Sequence, residues 1–325
     1  MGRKLRRLVG ALKDNASIAA RSTILCSSSS SAADLAVLRA TSHRHPSSPP
    51  HPRHIAGLLS FGRGARPVAA ALAFSLSSRL LTTTDPTVAL KSLFSLHQLL
   101  RSAPFILLDQ LSSYLLPQSS GRRTRSPLLL SSFPLGSDSL SWSLSSCVRW
   151  YSRLLELLLL LPSPSGENLA EWASSLLTRH LISEIESLAN FVAEAFHQPE
   201  IPGNRLISEV KRMVAEDRLA AENGIMVRLG EVRERLEAVG FADSVDLVFV
   251  LRRLEDHRPP PWMSDVQRKD QLFWTEVRQV RETVEGLVVK REREARSLQS
   301  DGFISARFMV RTGDLVQFHS NRWVA

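Results

Sequence analysis

Seven basic or imidazole side chains crowd residues 39–54: Arg39, His43, Arg44, His45, His51, Arg53 and His54. Pro46, Pro49, Pro50 and Pro52 interrupt them, so His43 to Arg53 reads as a loop between the end of one short helix and the start of the next. A corner of this kind can converge guanidinium and imidazole groups, with the free N–H groups of a helix start, on one phosphorylated headgroup. A solvated basic loop is the plainer alternative. Metal capture is not expected, because neither Cys nor carboxylate lies beside these histidines.

No other constellation offers chemistry. The chain has no Gly-x-Ser-x-Gly elbow, no phosphate-cradling Gly-x-x-x-x-Gly-Lys loop and no His-Glu-x-x-His helix, and Gly62-Arg63-Gly64 lacks a third glycine. His97 and His180 read as ordinary helix residues. The expectation is a protein that is not an enzyme and holds no cofactor. Cys26 and Cys147 form no Cys-x-x-Cys pair and no disulfide framework, which suits a reducing compartment.

The net charge of +9 is unevenly placed. Residues 1–160 carry 19 Lys and Arg against six acids, a balance of +13, whereas the remainder carries 22 basic and 26 acidic side chains, a balance of −4. The first half therefore faces a polyanion, and the second resembles an ordinary solvated helical surface. Few aromatics interleave with the basic residues, which argues against nucleic acid.

The elements that must position the basic corner read as helices. Leu5, Leu8, Val9 and Leu12 recur at i, i+3, i+4 and i+7 within residues 1–21, with Arg3, Lys4, Arg6, Arg7 and Lys13 on the other faces. Such a helix suits an anionic membrane surface. Two alternatives stand beside it: a core helix with a charged outer face, and an organellar transit peptide, since Asp14 and Asp34 are the only acids in the first 60 residues. Met1-Gly2 is not a lipidation signal, because Arg6 stands where Ser or Thr is needed.

Further helices are expected over Ala32–Ala40, His54–Phe61, Pro67–Leu81, Thr87–Arg101 and Pro104–Leu116. After an exposed Ser-, Pro- and Arg-rich loop over Gln118–Asp138 come Leu140–Leu161, Asn168–Phe196 with a break near His180, Leu206–Val239, Asp243–Asp256 and Gln267–Leu298. The longest apolar run, Leu154 to Leu161, is interrupted by Glu156 and falls far short of the roughly 20 residues that span a bilayer. The fold class is all-α, about ten helices, with a loose tail over 301–325.

Arg39-Ala40-Thr41-Ser42-His43, followed beyond the prolines by Arg53-His54, resembles the phosphoinositide motif of ANTH-domain proteins: Lys-Ala-Thr, a spacer, then Lys-x-Lys-His. Val88-Ala89-Leu90-Lys91-Ser92-Leu93, Phe105-Ile106-Leu107-Leu108-Asp109-Gln110-Leu111, Val148-Arg149-Trp150-Tyr151 and the opening Met1-Gly2-Arg3-Lys4-Leu5 are similar to the plant clathrin-assembly members of that family. The resemblance implies a right-handed helical solenoid, with a phosphoinositide-binding part over 22–162 and a C-terminal part over 163–300. It also implies capture of phosphatidylinositol 4,5-bisphosphate by Arg39, His51, Arg53 and His54, and clathrin and SNARE cargo as partners. Coated pits and vesicles of the plasma membrane and Golgi are the implied location. The short acidic peptides that bind clathrin and adaptors have one weak counterpart here, Asp314-Leu315-Val316.

Overall fold

The computed structural model describes residues 3–23, 29–116, 128, 130–136, 138–161, 168–258 and 268–309. Within them the chain forms twelve α-helices and no strand. In order these are α1 (Arg3–Thr23), α2 (Ser29–Ala40), α3 (Pro52–Leu59), a 3-10 turn (Ser60–Arg63), α4 (Arg66–Thr82), α5 (Pro86–Ser102) and α6 (Phe105–Leu115). Then follow α7 (Ser139–Leu160), α8 (Leu169–Ser175), α9 (Thr178–Phe196), α10 (Arg205–Glu234), α11 (Phe241–Asp256) and α12 (Arg268–Met309).

Local chemistry sets most starts. Pro52, Pro67 and Pro86 sit in the first turns of α3, α4 and α5, where a missing N–H costs nothing. Asp85, Asp138, Asn168 and Asn204 accept hydrogen bonds from the first free N–H groups of α5, α7, α8 and α10. Many helices then pack on the helix two places along: α2 on α4, α4 on α6, α5 on α7, α7 on α9, α9 on α11. That stacking produces the helical solenoid expected from the sequence, around one continuous apolar core from Ala33 to Val284. Helix α5 runs through its middle, with every residue from Thr87 to His97 buried. No helix among the described residues is long and apolar enough to cross a membrane.

Several boundaries differ from the sequence reading. Ser29 to Ser31 belong to α2 rather than preceding it. The break expected near His180 falls at Leu176 and Leu177, which are extended although neither Pro nor Gly is present. Arg235 stabilises that break by donating to the carbonyls of Leu176 and Ser174, which the end of α8 leaves free. Helix α10 stops at Glu234, and Arg235 to Val239 form a turn closed on the Arg235 carbonyl. Leu128, Leu130 and Phe133, read as part of an exposed loop, are buried, and the Ser152 hydroxyl donates to the Leu128 carbonyl. Apolar side chains pull this end of the connection onto the core; Arg122, Arg123 and Arg125 lie outside the described residues. Helix α12 continues past Asp301 to Met309, into the segment read as a loose tail.

Candidate functional site: a basic corner between α2 and α3

Arg39 occupies the last turn of α2, and His51 caps the start of α3, its Nδ1 accepting the Arg53 N–H at 3.2 Å. The His51 and His54 rings stand edge to face, 6.1 Å between centroids. The His54 imidazole is held below its usual pKa of 6.5, first by partial burial, then by the positive fields of Arg53, His51 and Arg39. The fold thus brings these four residues together at one corner. Arg39, His51 and Arg53 are exposed, and neither arginine forms an ion pair among the described residues. Uncompensated cations this close repel one another, an arrangement that an external anion relieves.

The intervening loop is anchored from four sides. Lys91 of α5, buried at 4 % exposure, donates Nζ to the carbonyls of Ser42, at 2.9 Å, and Arg44. Burial pulls its ammonium from 10.5 down to about 8, with Asp85 and Asp14 acting the other way. From α4, Arg79 donates Nε to the Thr41 hydroxyl at 3.2 Å and Nη2 to the Thr41 carbonyl at 3.4 Å. The Leu206 N–H at the start of α10 donates to the Ser47 carbonyl at 2.8 Å. The fourth anchor is Asp14 of α1. Its Oδ2 accepts the His43 backbone N–H at 3.0 Å and approaches His43 Nδ1 at 2.6 Å, while Oδ1 accepts from Arg79 at 3.3 Å. Burial by itself would raise the Asp14 pKa, but the two His43 hydrogen bonds and the charges of His43 and Arg79 outweigh it, and the carboxyl is held below its ordinary value.

Helix α1 turns inward the side that carries Gly10, Ala11, Asp14 and Ile18. Asp14 is 5 % exposed, whereas Leu8, Val9 and Leu12 stand 61, 56 and 67 % exposed. The core-helix alternative therefore fails for this stripe; the side chain of Leu5 lies outside the described residues. Gly10 allows the approach, because a Cβ there would lie 2.6 Å from His43 Nε2. Sequence reasoning placed His43 in the basic cluster and missed its partner Asp14, as well as Arg79 and Lys91, which hold the loop on either side of it. The available signal was a charge set in an otherwise apolar periodic stretch, as in Val88-Ala89-Leu90-Lys91-Ser92-Leu93.

Two further titratable groups, His97 and Cys147, lie inside the core. His97 is fully buried, its Nδ1 2.9 Å from the Tyr151 hydroxyl and its Nε2 against Asp217, a network that joins α5, α7 and α10. Burial pushes the Cys147 thiol up to about 12, which leaves it unreactive; Cys26 lies outside the described residues. Among the described residues no three His, Cys, Asp or Glu side chains gather into a metal site.

Comparison with known proteins bears on this corner. The ANTH domain model matches residues 32–159, which include α2, α3 and the loop between them. Putative clathrin assembly protein At4g40080 of Arabidopsis thaliana is 38% identical over 265 residues, covering 76% of this chain and 71% of that protein. Putative clathrin assembly protein At5g10410 of the same plant is 30% identical over 258 residues, 74% of this chain and 72% of that protein. A third, At2g25430, is 35% identical over 159 residues but is covered for only 22% of its length.

Proposed function

Because the chain belongs to the ANTH-domain clathrin assembly protein family, we propose that it is a peripheral adaptor that binds phosphatidylinositol 4,5-bisphosphate and promotes clathrin coat assembly in endocytosis and vesicle budding. The observation that carries the reading is the corner itself: Arg39, His51, Arg53 and His54 face one another, with neither arginine in an ion pair among the described residues. Each cation near an anionic surface is worth about 1 kcal/mol, so the two arginines alone hold the protein only weakly. The exposed stripe of Leu8, Val9 and Leu12 supplies the second contact, entering the headgroup boundary as α1 lies on the surface. Clathrin and SNARE cargo are the proposed protein partners, at coated pits and vesicles of the plasma membrane and Golgi.

Against the organellar alternative stands the docking of α1. Cleavage of some tens of residues, α1 included, would take Asp14 from His43 and Arg79, leaving the His43 loop N–H without its acceptor and the half-buried Arg79 guanidinium without its charged partner. The mature protein is expected to keep its N-terminal segment, as peptide mass mapping would report. The test of the main reading is sedimentation with vesicles containing phosphatidylinositol 4,5-bisphosphate, against charge-matched phosphatidylserine vesicles, at low and high salt. Preference for the phosphoinositide, weakened by salt, is expected. Equal sedimentation with both vesicle types counts against a headgroup site.

A further inference from the structure

Asp14 joins α1 to both the α2–α3 loop and α4. One carboxylate oxygen takes both the backbone N–H and the ring nitrogen of His43, and the other takes Arg79, which also holds Thr41. Helix α1 meets the body chiefly through α2, and its large apolar side chains Leu8, Val9 and Leu12 point outward. Its docking therefore draws on this carboxylate and on the close seat of the His43 ring over Gly10, beside the half-buried Ala11, Ser17 and Ile18.

We propose that Asp14 is a positioning residue for the basic corner, coupling the docked state of α1 to capture of a multiply phosphorylated inositol headgroup. The inference rests on the headgroup-binding reading above and adds a role for residues outside the motif. The connection is short. Thr41 and His43 are the loop's contacts to Arg79 and Asp14; Arg39 precedes them by half a helical turn and Arg44 follows directly. Loss of the carboxylate frees His43 from α1 and leaves Arg79 without its charged partner, so that the Arg79 bonds to Thr41 lose their backing and Lys91 and the Leu206 N–H are the loop's other anchors. Arg39 then loses its fixed relation to Arg53 and His54 on the far side of the loop. Coupling of this kind is reciprocal: if docked α1 favours the headgroup, the headgroup favours docked α1.

A soluble headgroup separates this role from insertion of α1, since without a bilayer Leu8, Val9 and Leu12 have nothing to enter. Titration of the full chain with inositol 1,4,5-trisphosphate in a calorimeter, with amide exchange of residues 3–23 followed in parallel, is the experiment. Asp14→Asn keeps the shape and removes the charge that orders His43; a loss of about tenfold in affinity is expected, the scale of one charge-assisted hydrogen bond. Gly10→Ala guards against a trivial folding defect. It favours the helical state of α1 yet drives a methyl group into the His43 ring, so a purely structural role for α1 predicts unchanged or improved affinity, whereas the positioning role predicts a loss. In the wild type the trisphosphate should slow exchange along α1. Wild-type binding with both variants undiminished, or with α1 exchange unaffected by ligand, overturns the positioning role alone. A wild type that binds neither the trisphosphate nor phosphoinositide vesicles overturns the headgroup reading and this inference together.

Discussion

In α10, α11 and α12 arginine is matched to glutamate: Arg212 with Glu209 and Glu216, Arg233 with Glu276, Arg252 with Glu285, and Arg281 with Glu255 and Glu285. Even the fully buried Arg228 has Glu184 at 2.6 Å and the Gly224 carbonyl at 2.9 Å. At the α2–α3 corner Arg39, Arg44 and Arg53 have no such partners among the described residues. The same residue type thus closes one surface and leaves a field open at the α2–α3 corner. Paired charges are neutral at a distance and contribute to folding; unpaired ones raise a potential that reaches an approaching bilayer.

Four variants break or sharpen this contrast. Arg39→Glu with Arg53→Glu removes two attractive charges and adds two repulsive ones, so phosphoinositide-vesicle affinity should fall by about 4 kcal/mol, roughly a thousandfold. Thermal stability should barely move, and retained sedimentation would remove the corner from the mechanism. Glu184→Ala does the opposite. It strands the buried Arg228 guanidinium and should cost about 3 kcal/mol of stability in a denaturant titration, with vesicle binding of the folded protein unchanged. Leu8→Glu, at an exposed position, should leave stability alone and weaken vesicle binding by about 1 to 2 kcal/mol, most visibly on small vesicles; equal binding to all vesicle sizes would exclude insertion of α1. The smallest effect belongs to the histidines. His54 is held below 6.5 in the free protein, and an anionic headgroup raises it. Affinity must therefore rise as pH falls through the bound-state pKa, and the gain is complete only below the free-state value, which itself lies under 6.5. His51→Lys adds a permanent charge and should strengthen binding near neutral pH by about fivefold while flattening the profile. Superimposable curves for wild type and variant over about pH 5 to about pH 8 would dismiss position 51 from the site.

Prolines made the corner legible. Pro46, Pro49, Pro50 and Pro52 bracket a loop in the sequence, and the structure has one from Thr41 to His51, so Arg39 and His54 were bound to flank it. The all-α stack was equally readable, because periodicity and short punctuation are local signals. What stayed hidden depends on partners far along the chain. The end of α8 at Leu176 needs Arg235, the burial of Leu128 needs Ser152, and the seat of α1 needs His43 and Arg79. The hydrophobic pattern marked Leu8, Val9 and Leu12 as one stripe but could not say which side of α1 turns inward; that side carries Gly10, Asp14 and Ile18.

Stacking each helix on a near neighbour also bears on how the chain reaches this state. Contacts such as α2 on α4 or α9 on α11 close short loops, at little entropic cost, so the stack can grow locally and quickly. Among the joins that do not fit that pattern, His97 meets Asp217 across 120 positions, Arg101 meets Glu216 across 115, and the Ser47 carbonyl waits for the Leu206 N–H. These clasp the early helices to α10 only once both parts exist. They belong to the last steps of assembly, so weakening them should hasten unfolding far more than it slows folding.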